Sequence, residues 1–303
     1  MPTTDTIAAL ETASSLLSKL RFHLQVSRPG LWLTAVWFYL LPLGGKDVFF
    51  SWRFWLGVFF VSFPLGYILY GWNDFVDTDA DQINPRKGNF LFGARGNKQQ
   101  LRSLPWTITA VHLPFLVFFF YMMGAKALLW YFGLVSFSAI YNWPKYGFKS
   151  QPPFEVLNQA GYVLVFVLSS WLNGAPQLPW QTMLFGAMFA MHSHIFGEIM
   201  DVVPDRLTGR HTTATQAGTV PAKFAIVTLL ALEAVLVFYF FRDPYLTTFL
   251  AASAVWFMLD ALVIWKDRVY SPVQMKFVML AWNAVALASI PLVWKMASLT
   301  RLH

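Results

Sequence analysis

Long apolar runs constrain this chain more than any other feature. About nine can be read with a window near 19 residues: 30–44, 52–72, 105–124, 126–142, 154–173, 179–200, 222–241, 244–265 and 274–296. Their interiors are rich in Phe, Leu, Val and Trp. In hydrocarbon every backbone N–H and C=O must find its partner within the protein, which a helix provides within one segment. None of the runs alternates with the period of two expected of an outer-membrane strand. Only 12% of residues are charged, whereas a soluble domain carries about 25%. The predicted fold class is therefore an all-α membrane protein, one integral domain over 1–303, with about nine transmembrane helices.

The polar remainder sets topology. Of the 22 Lys and Arg, 16 lie at the N-terminus and in the loops after the second, fourth, sixth and eighth runs, and 6 lie on the opposite side. The positive-inside rule places the N-terminus in the cytoplasm and, with an odd number of spans, the C-terminus outside, in a bacterial or archaeal plasma membrane. The net charge of +7 is thus accounted for by loops and anionic ligands, and nucleic acid is not expected as a partner. Residues 1–22 lack the basic-then-apolar pattern of a signal peptide. Leu10 and the stretch Leu16 to Leu20 suggest a peripheral amphipathic helix on the membrane surface. Without cysteine there is no disulfide, thiol nucleophile or thiolate metal site.

Two acidic clusters close two of the apolar runs. One reads Asn73-Asp74-Phe75-Val76-Asp77-Thr78-Asp79-Ala80-Asp81, the other Glu198-Ile199-Met200-Asp201-Val202-Val203-Pro204-Asp205. Seven of the 15 acidic residues sit in these stretches. Carboxylates beside hydrocarbon are costly, and packed together they repel, which divalent cations relieve. On a helix Asn73, Asp77 and Asp81 share a face, as do Glu198, Asp201 and Asp205. Each row offers hard oxygen ligands of the kind Mg²⁺ prefers, with waters and substrate phosphate oxygens completing its shell. Both clusters fall on the cytoplasmic side, so the two rows are expected to face each other there.

Basic residues follow each cluster: Arg86, Lys87 and Arg95 after the first, Arg206 and Arg210 after the second. Tyr141 and Lys145 form a Tyr-x-x-x-Lys pair at the end of the fourth run, with Lys149 one turn on. Lys and Arg beside a bound metal suit a departing diphosphate. His192 and His194 precede Glu198, but no third imidazole is suitably spaced for a transition metal. They are expected to hydrogen-bond in the bundle or to line its cavity. The chain also repeats loosely, as halves of about 23–150 and 151–268 followed by a final helix, with the site between them.

Asn73-Asp74-x-x-Asp77-x-x-x-Asp81 resembles the first aspartate motif of the UbiA superfamily of intramembrane prenyltransferases. Asp201-x-x-x-Asp205 is similar to the second, with Glu198 where many members carry Asp. Tyr141-x-x-x-Lys145 and Arg28-Pro29 are similar to further family elements, and Asn84-Pro85-Arg86-Lys87 resembles the version found in carotenoid-elongating members. The resemblance implies nine helices around a central apolar cavity that opens laterally to membrane lipids. It implies Mg²⁺ held by Asn73, Asp77, Asp81, Asp201 and Asp205, with Glu198 joining them. Tyr141, Lys145, Lys149 and the loop residues Arg86, Lys87, Arg95, Arg206 and Arg210 would contact diphosphate. The implied activity moves an isoprenyl group from an isoprenyl diphosphate to a lipophilic acceptor.

Two other readings remain open at this point. An intramembrane terpene cyclase would ionise the same donor without an acceptor. An ion or solute transporter would carry its charges deep within interrupted spans, whereas here they gather at one face. The acceptor is not legible, since chamber shape and a few polar groups decide it.

Overall fold

A computed structural model describes residues 16–302. Most of the expected surface helix in 1–22 lies outside that range; its described part belongs to α1, helical over 16–26, with Leu16, Leu17 and Leu20 exposed. All regular structure among the described residues is helical, apart from one isolated bridge between Asn89 and Gly93.

Proline placement explains the breaks. Helix α2 spans Trp32–Leu40 and follows a short turn begun by Pro29. Helix α3, Trp52–Ser62, gives way to α4, Pro64–Val76, because Pro64 has no N–H to continue the ladder but suits a first helical position. The carbonyl of Pro64 is met by His112 Nε2 at 2.8 Å. Beyond α4 the chain bends at Asp77 and resumes as α5, Thr78–Ile83, which stops where Asn84 is held extended before Pro85. The acidic stretch is thus two helices rather than one. Two helical bonds cross the bend, Asp77 N–H to Asn73 O at 2.8 Å and Asp81 N–H to Asp77 O at 3.0 Å, so the three residues keep a common side.

Helix α6 is Lys98–Met123, started by an Asn97–Gln100 capping box, and α7 is Ala125–Asn142. After the four-residue α8, Phe154–Leu157, come α9, Leu164–Leu172, and α10, Trp180–Leu207. The short α11, Thr213–Ala217, leads into α12, Thr219–Leu236; α13, Pro244–Leu259, and α14, Pro272–Met296, complete the bundle. At 28 residues α10 is about 42 Å long, more than the thickness of a hydrocarbon core, and Asp201 and Asp205 lie in its last turns.

Among the described residues, six helical stretches are long and apolar enough to cross a membrane: Trp52–Val76, Lys98–Met123, Phe154–Leu172, Thr219–Phe241, Pro244–Ile264 and Pro272–Met296. The other expected runs fall on α2, which is only nine residues long, on α7, and on α10, which carries Gln181, His192, His194 and Glu198. Leu113, Val117, Phe118 and Tyr121 on α6 are exposed, as a lipid-facing surface requires.

Helix α12 packs on α10 and α13, α4 on α6, and α2 on α3, α9 and α14. An aromatic group fills the centre: Phe38 stacks on Phe166 at 4.8 Å, and Trp37 on Phe189 at 5.9 Å. Two buried charge groups lie away from the acidic motifs. His192 Nε2 is 3.3 Å from Glu233 Oε2 between α10 and α12. Lys223 Nζ meets Asp260 Oδ2 at 3.0 Å, and Tyr270 donates to the same carboxylate. Glu233 is an acidic residue outside the two clusters, buried inside the bundle against His192.

The N-terminal helix is seated by α4. His23 Nδ1 lies 2.7 Å from Tyr67 Oη, which is 2.7 Å from Thr107 Oγ1. Gly66 allows the close approach, since a Cβ there would stand 2.5 Å from the Ser27 carbonyl oxygen. Gly66→Leu should push this helix away and cost about 1–3 kcal/mol by overpacking, read as a lowered midpoint of thermal unfolding in detergent. An unchanged midpoint would contradict this seating.

Candidate active site

One cavity of about 310 Å³ takes in both acidic motifs. Asn73, Asp77, Asp81, Glu198, Asp201 and Asp205 line it, together with Arg86, Lys87, Tyr141, Lys149 and Arg210. The other wall is apolar and aromatic, from Phe38, Leu65, Trp130, Leu134, Phe137 and Phe189. A charged end and a hydrocarbon-like body thus form one space.

The charged end is organised by alternation of sign. Asp77 Oδ1 accepts from Arg210 and from Lys149 Nζ, and the other amine of Arg210 is 3.4 Å from Asp205. A single guanidinium therefore touches the first motif and the second. Asp201 accepts from Arg86 and, at 2.8 Å, from Asn84. Lys87 bridges Asp74 at 2.7 Å and Asp81 at 2.8 Å, and Arg28 completes the row on Asp74 at 2.9 Å. Lys149 also donates to Asn73 at 3.0 Å. Buried charges are tolerated in this way only when paired.

Lys145, Arg206 and Arg95 lie outside this cavity, and Glu198 is engaged at its wall. Pro144 follows the end of α7 at Asn142, so Lys145 leaves the face of Tyr141 and is exposed, its ammonium over the Tyr146 ring at 5.2 Å. Arg206 is exposed: next to Asp205 on a helix, it is turned by about 100° from it. Arg95 is exposed as well and spends its guanidinium on the Asn84 carbonyl at 2.5 Å, holding the loop. Glu198 lines the cavity, but one oxygen accepts from the Ala214 amide at 3.2 Å and the other lies 3.1 Å from His194 Nε2. Glu155 does the same one residue earlier, accepting from Thr213 N–H at 2.7 Å. The two glutamates pin the start of α11. His194 lines the cavity with its ring against Tyr141, while His192 is inside the bundle.

Three contributors were not foreseen in these roles. Asp74 serves Arg28 and Lys87 instead of the cavity. Arg28 adopts a left-handed backbone, φ 50°, and lies over the Tyr70 ring at 4.4 Å. Such strain persists only where the surroundings impose it, and here its side chain is held from two sides. Asn84 carries one motif's loop to the other motif's Asp201. The signal for Arg28 and Asp74 was their place inside recognisable motifs; their pairing, 46 residues apart, left no local trace.

Burial pushes the Asp205 carboxyl up to about 7, with Asp201 and Asp77 adding repulsion against the help of Arg210. Asp81 is raised for the same first reason. Burial thus disfavours the charged form of both carboxyls even with the cations in place. No three carboxylate or imidazole groups among the described residues yet close on a common point. The donors are nonetheless oxygen-only, come from three helices, α4, α5 and α10, and surround one cavity, which suits a hard divalent cation such as Mg²⁺. Burial also lowers Lys149, to about 8, against the pull of Asp77.

The chain matches the model of the UbiA prenyltransferase family over residues 31–291. It is 31% identical over 229 residues to a lycopene elongase/hydratase of Corynebacterium glutamicum, covering 73% of this chain and 78% of that one. A lycopene elongase/hydratase of Halobacterium salinarum is 31% identical over 155 residues, 51% of this chain and 54% of its own. In structure it resembles a UbiA homolog from Archaeoglobus fulgidus bound to DMAPP and Mg²⁺, with TM-score 0.66 and 19% identity over 90% of this chain and 98% of that one. The same homolog bound to GPP and Mg²⁺ gives a TM-score of 0.60.

Two outcomes follow from the charge arrangement. The Lys149 ammonium is present well below about pH 8 and is lost as the pH rises through that value. Affinity for inorganic diphosphate should therefore fall above that pH, towards about tenfold per unit, while Lys149→Arg stays flat over the same range; parallel profiles by calorimetry would contradict this. Asp74→Ala strands the Arg28 guanidinium and should cost about 3–5 kcal/mol, seen as loss of folded protein on heating. A wild-type melting curve would contradict the pairing.

Proposed function

Because this chain belongs to the UbiA prenyltransferase family and is a prenyl-transferring enzyme of the membrane, we propose that it moves an isoprenyl group from an isoprenyl diphosphate to a linear polyene hydrocarbon. The observation that carries this reading is the Arg210 guanidinium between Asp77 and Asp205, at the charged end of an apolar cavity. The proposed architecture is a bundle of nine spans in two halves plus a last helix. Both motifs face each other at the cytoplasmic end, with the N-terminus inside and the C-terminus outside.

In this reading Asp77, Asp81, Asp201 and Asp205, with Asn73, hold Mg²⁺. Bound there, the metal supplies positive charge against the diphosphate. Arg86, Lys87, Lys149 and Arg210 bind the phosphate oxygens with donors that match them. The allylic C–O bond breaks and the diphosphate keeps its electron pair. The same four cations stabilise the charge that grows on the leaving oxygen. Phe38, Trp130, Phe137 and Phe189 keep water from the allylic cation and offer π-faces to it. A double bond of the acceptor supplies the electrons of the new C–C bond. The resulting cation either loses a proton to give an alkene or takes up water and loses a proton to give an alcohol.

A polyene acceptor is supported by the names of the relatives, lycopene elongase/hydratase. It is supported also by the cavity walls, where Leu31, Leu69, Val165 and Met279 offer a hydrocarbon surface. The test is incubation of the purified protein with Mg²⁺, dimethylallyl diphosphate and lycopene, followed by mass spectrometry. The expected product is lycopene enlarged by isoprenyl units. Asp77→Ala and Asp201→Ala should lower its formation by about 10²-fold or more while the protein still inserts and folds. Full turnover by either variant would remove the assigned chemistry. Transfer to an aromatic acid but not to lycopene would remove the acceptor class.

A further inference from the structure

A second cavity, of about 240 Å³, lies against the first. Asp77, Asn142, Lys149 and Arg210 line both, so the two spaces are divided by a wall one ion cluster thick. The far side of the second cavity is different in kind. Trp143, Lys145 and Ser150, all exposed, form its rim, and Gln151 lies beside them. Its lining carries three cations, Lys145, Lys149 and Arg210, against the single carboxylate of Asp77. Its floor is fixed by the tight turn that closes with Gly147 N–H to Trp143 O at 2.9 Å. A Cβ at Gly147 would stand 2.5 Å from the Tyr141 carbonyl oxygen.

A basic, solvent-facing pocket behind an ion-pair wall calls for an anion that crosses the wall. The reaction proposed above makes one. Its two products part company chemically: the enlarged polyene leaves into lipid, whereas inorganic diphosphate is excluded from hydrocarbon by its charge. Lys149 and Arg210 are shared by both spaces. The three N–H of Lys149 face Asp77, Asn73 and Asn142, and the long 3.5 Å contact to Asn142 is the one an anion would replace; Arg210 has five N–H and keeps donors beyond Asp77 and Asp205. An anion leaving the inner site can therefore stay in contact with the same two cations while it passes the wall.

We propose that this second pocket is the release site for inorganic diphosphate: a path from the reaction cavity to the cytoplasm through the Asp77–Lys149–Arg210 wall, with Lys145 at its mouth. The proposal rests on the prenyl-transfer reading and adds a route to it. Lys145, displaced from the Tyr141 face by Pro144, is placed here where the anion emerges. No bond changes along the path; diphosphate passes as the species that the C–O cleavage released.

The experiment uses the full-length protein in nanodiscs, loaded with radiolabelled inorganic diphosphate and Mg²⁺, and measures release on dilution and association on mixing. Lys145→Glu reverses the charge at the mouth, and Ser150→Trp plugs the rim without removing a charge. Both variants should slow release and association alike, by about tenfold or more, and Ser150→Trp should leave the equilibrium affinity unchanged. Exchange at the wild-type rate in either variant would overturn the proposal, as would slower release that comes only from tighter binding. Wild-type exchange in variants of a protein that does transfer prenyl groups removes the exit path alone. A wild type that binds diphosphate but transfers nothing removes the functional reading beneath it.

Discussion

Mutual repulsion among five buried or half-buried carboxylates is the constraint around which this structure is arranged. Asp74, Asp77, Asp81, Asp201 and Asp205 would be untenable beside an apolar cavity if left alone. Arg28, Arg86, Lys87, Lys149 and Arg210 alternate with them, and every contact joins opposite signs. The loop after α5 crosses to Asp201, and the loop after α10 crosses back to Asp77. The ion pairs thus hold the two halves of the site together. They also neutralise the site with the very cations that suit phosphate. A divalent cation taking the carboxylates and a diphosphate taking the cations would exchange partners instead of meeting a bare site.

The helices supply the geometry for that exchange. Pro64 ends one helix and starts another, so that α4 delivers Asn73 and Asp77 to the cavity, and the bend at Asp77 turns Asp81 without losing the common side. The last turns of the long α10 bring the second motif to the same cavity. Glu155 and Glu198 fix the start of α11 and so the loop that bears Arg210. Away from this end the cavity is lined by rings and branched aliphatic chains, a surface that would shield a reactive cation from water.

Much of this was legible because it depends on local periodicity. Apolar runs in a chain of this composition read as helices, and spacings of three and four residues put Asn73, Asp77 and Asp81, or Asp201 and Asp205, on one side. The same rule misplaces residues where the helix does not continue. Lys145 stands four residues after Tyr141, but Pro144 intervenes. Arg206 adjoins Asp205 in sequence and for that reason points elsewhere on the helix. The Arg28–Asp74 and Arg210–Asp77 pairs join residues 46 and 133 apart, a distance that only tertiary packing spans. The buried Glu233–His192 contact between α10 and α12 was equally out of reach, since neither residue sits in a motif.

The central claim is that metal and diphosphate bind by taking opposite partners from one interlocked set of charges, so each must help the other. The direct measurement is calorimetric titration of inorganic diphosphate with and without Mg²⁺, and of Mg²⁺ with and without diphosphate, corrected for their association in solution. The account predicts that each raises the affinity for the other by the same factor, about 10-fold or more. It also predicts that the factor disappears in Asp77→Asn. Affinities that are independent of the partner would contradict it.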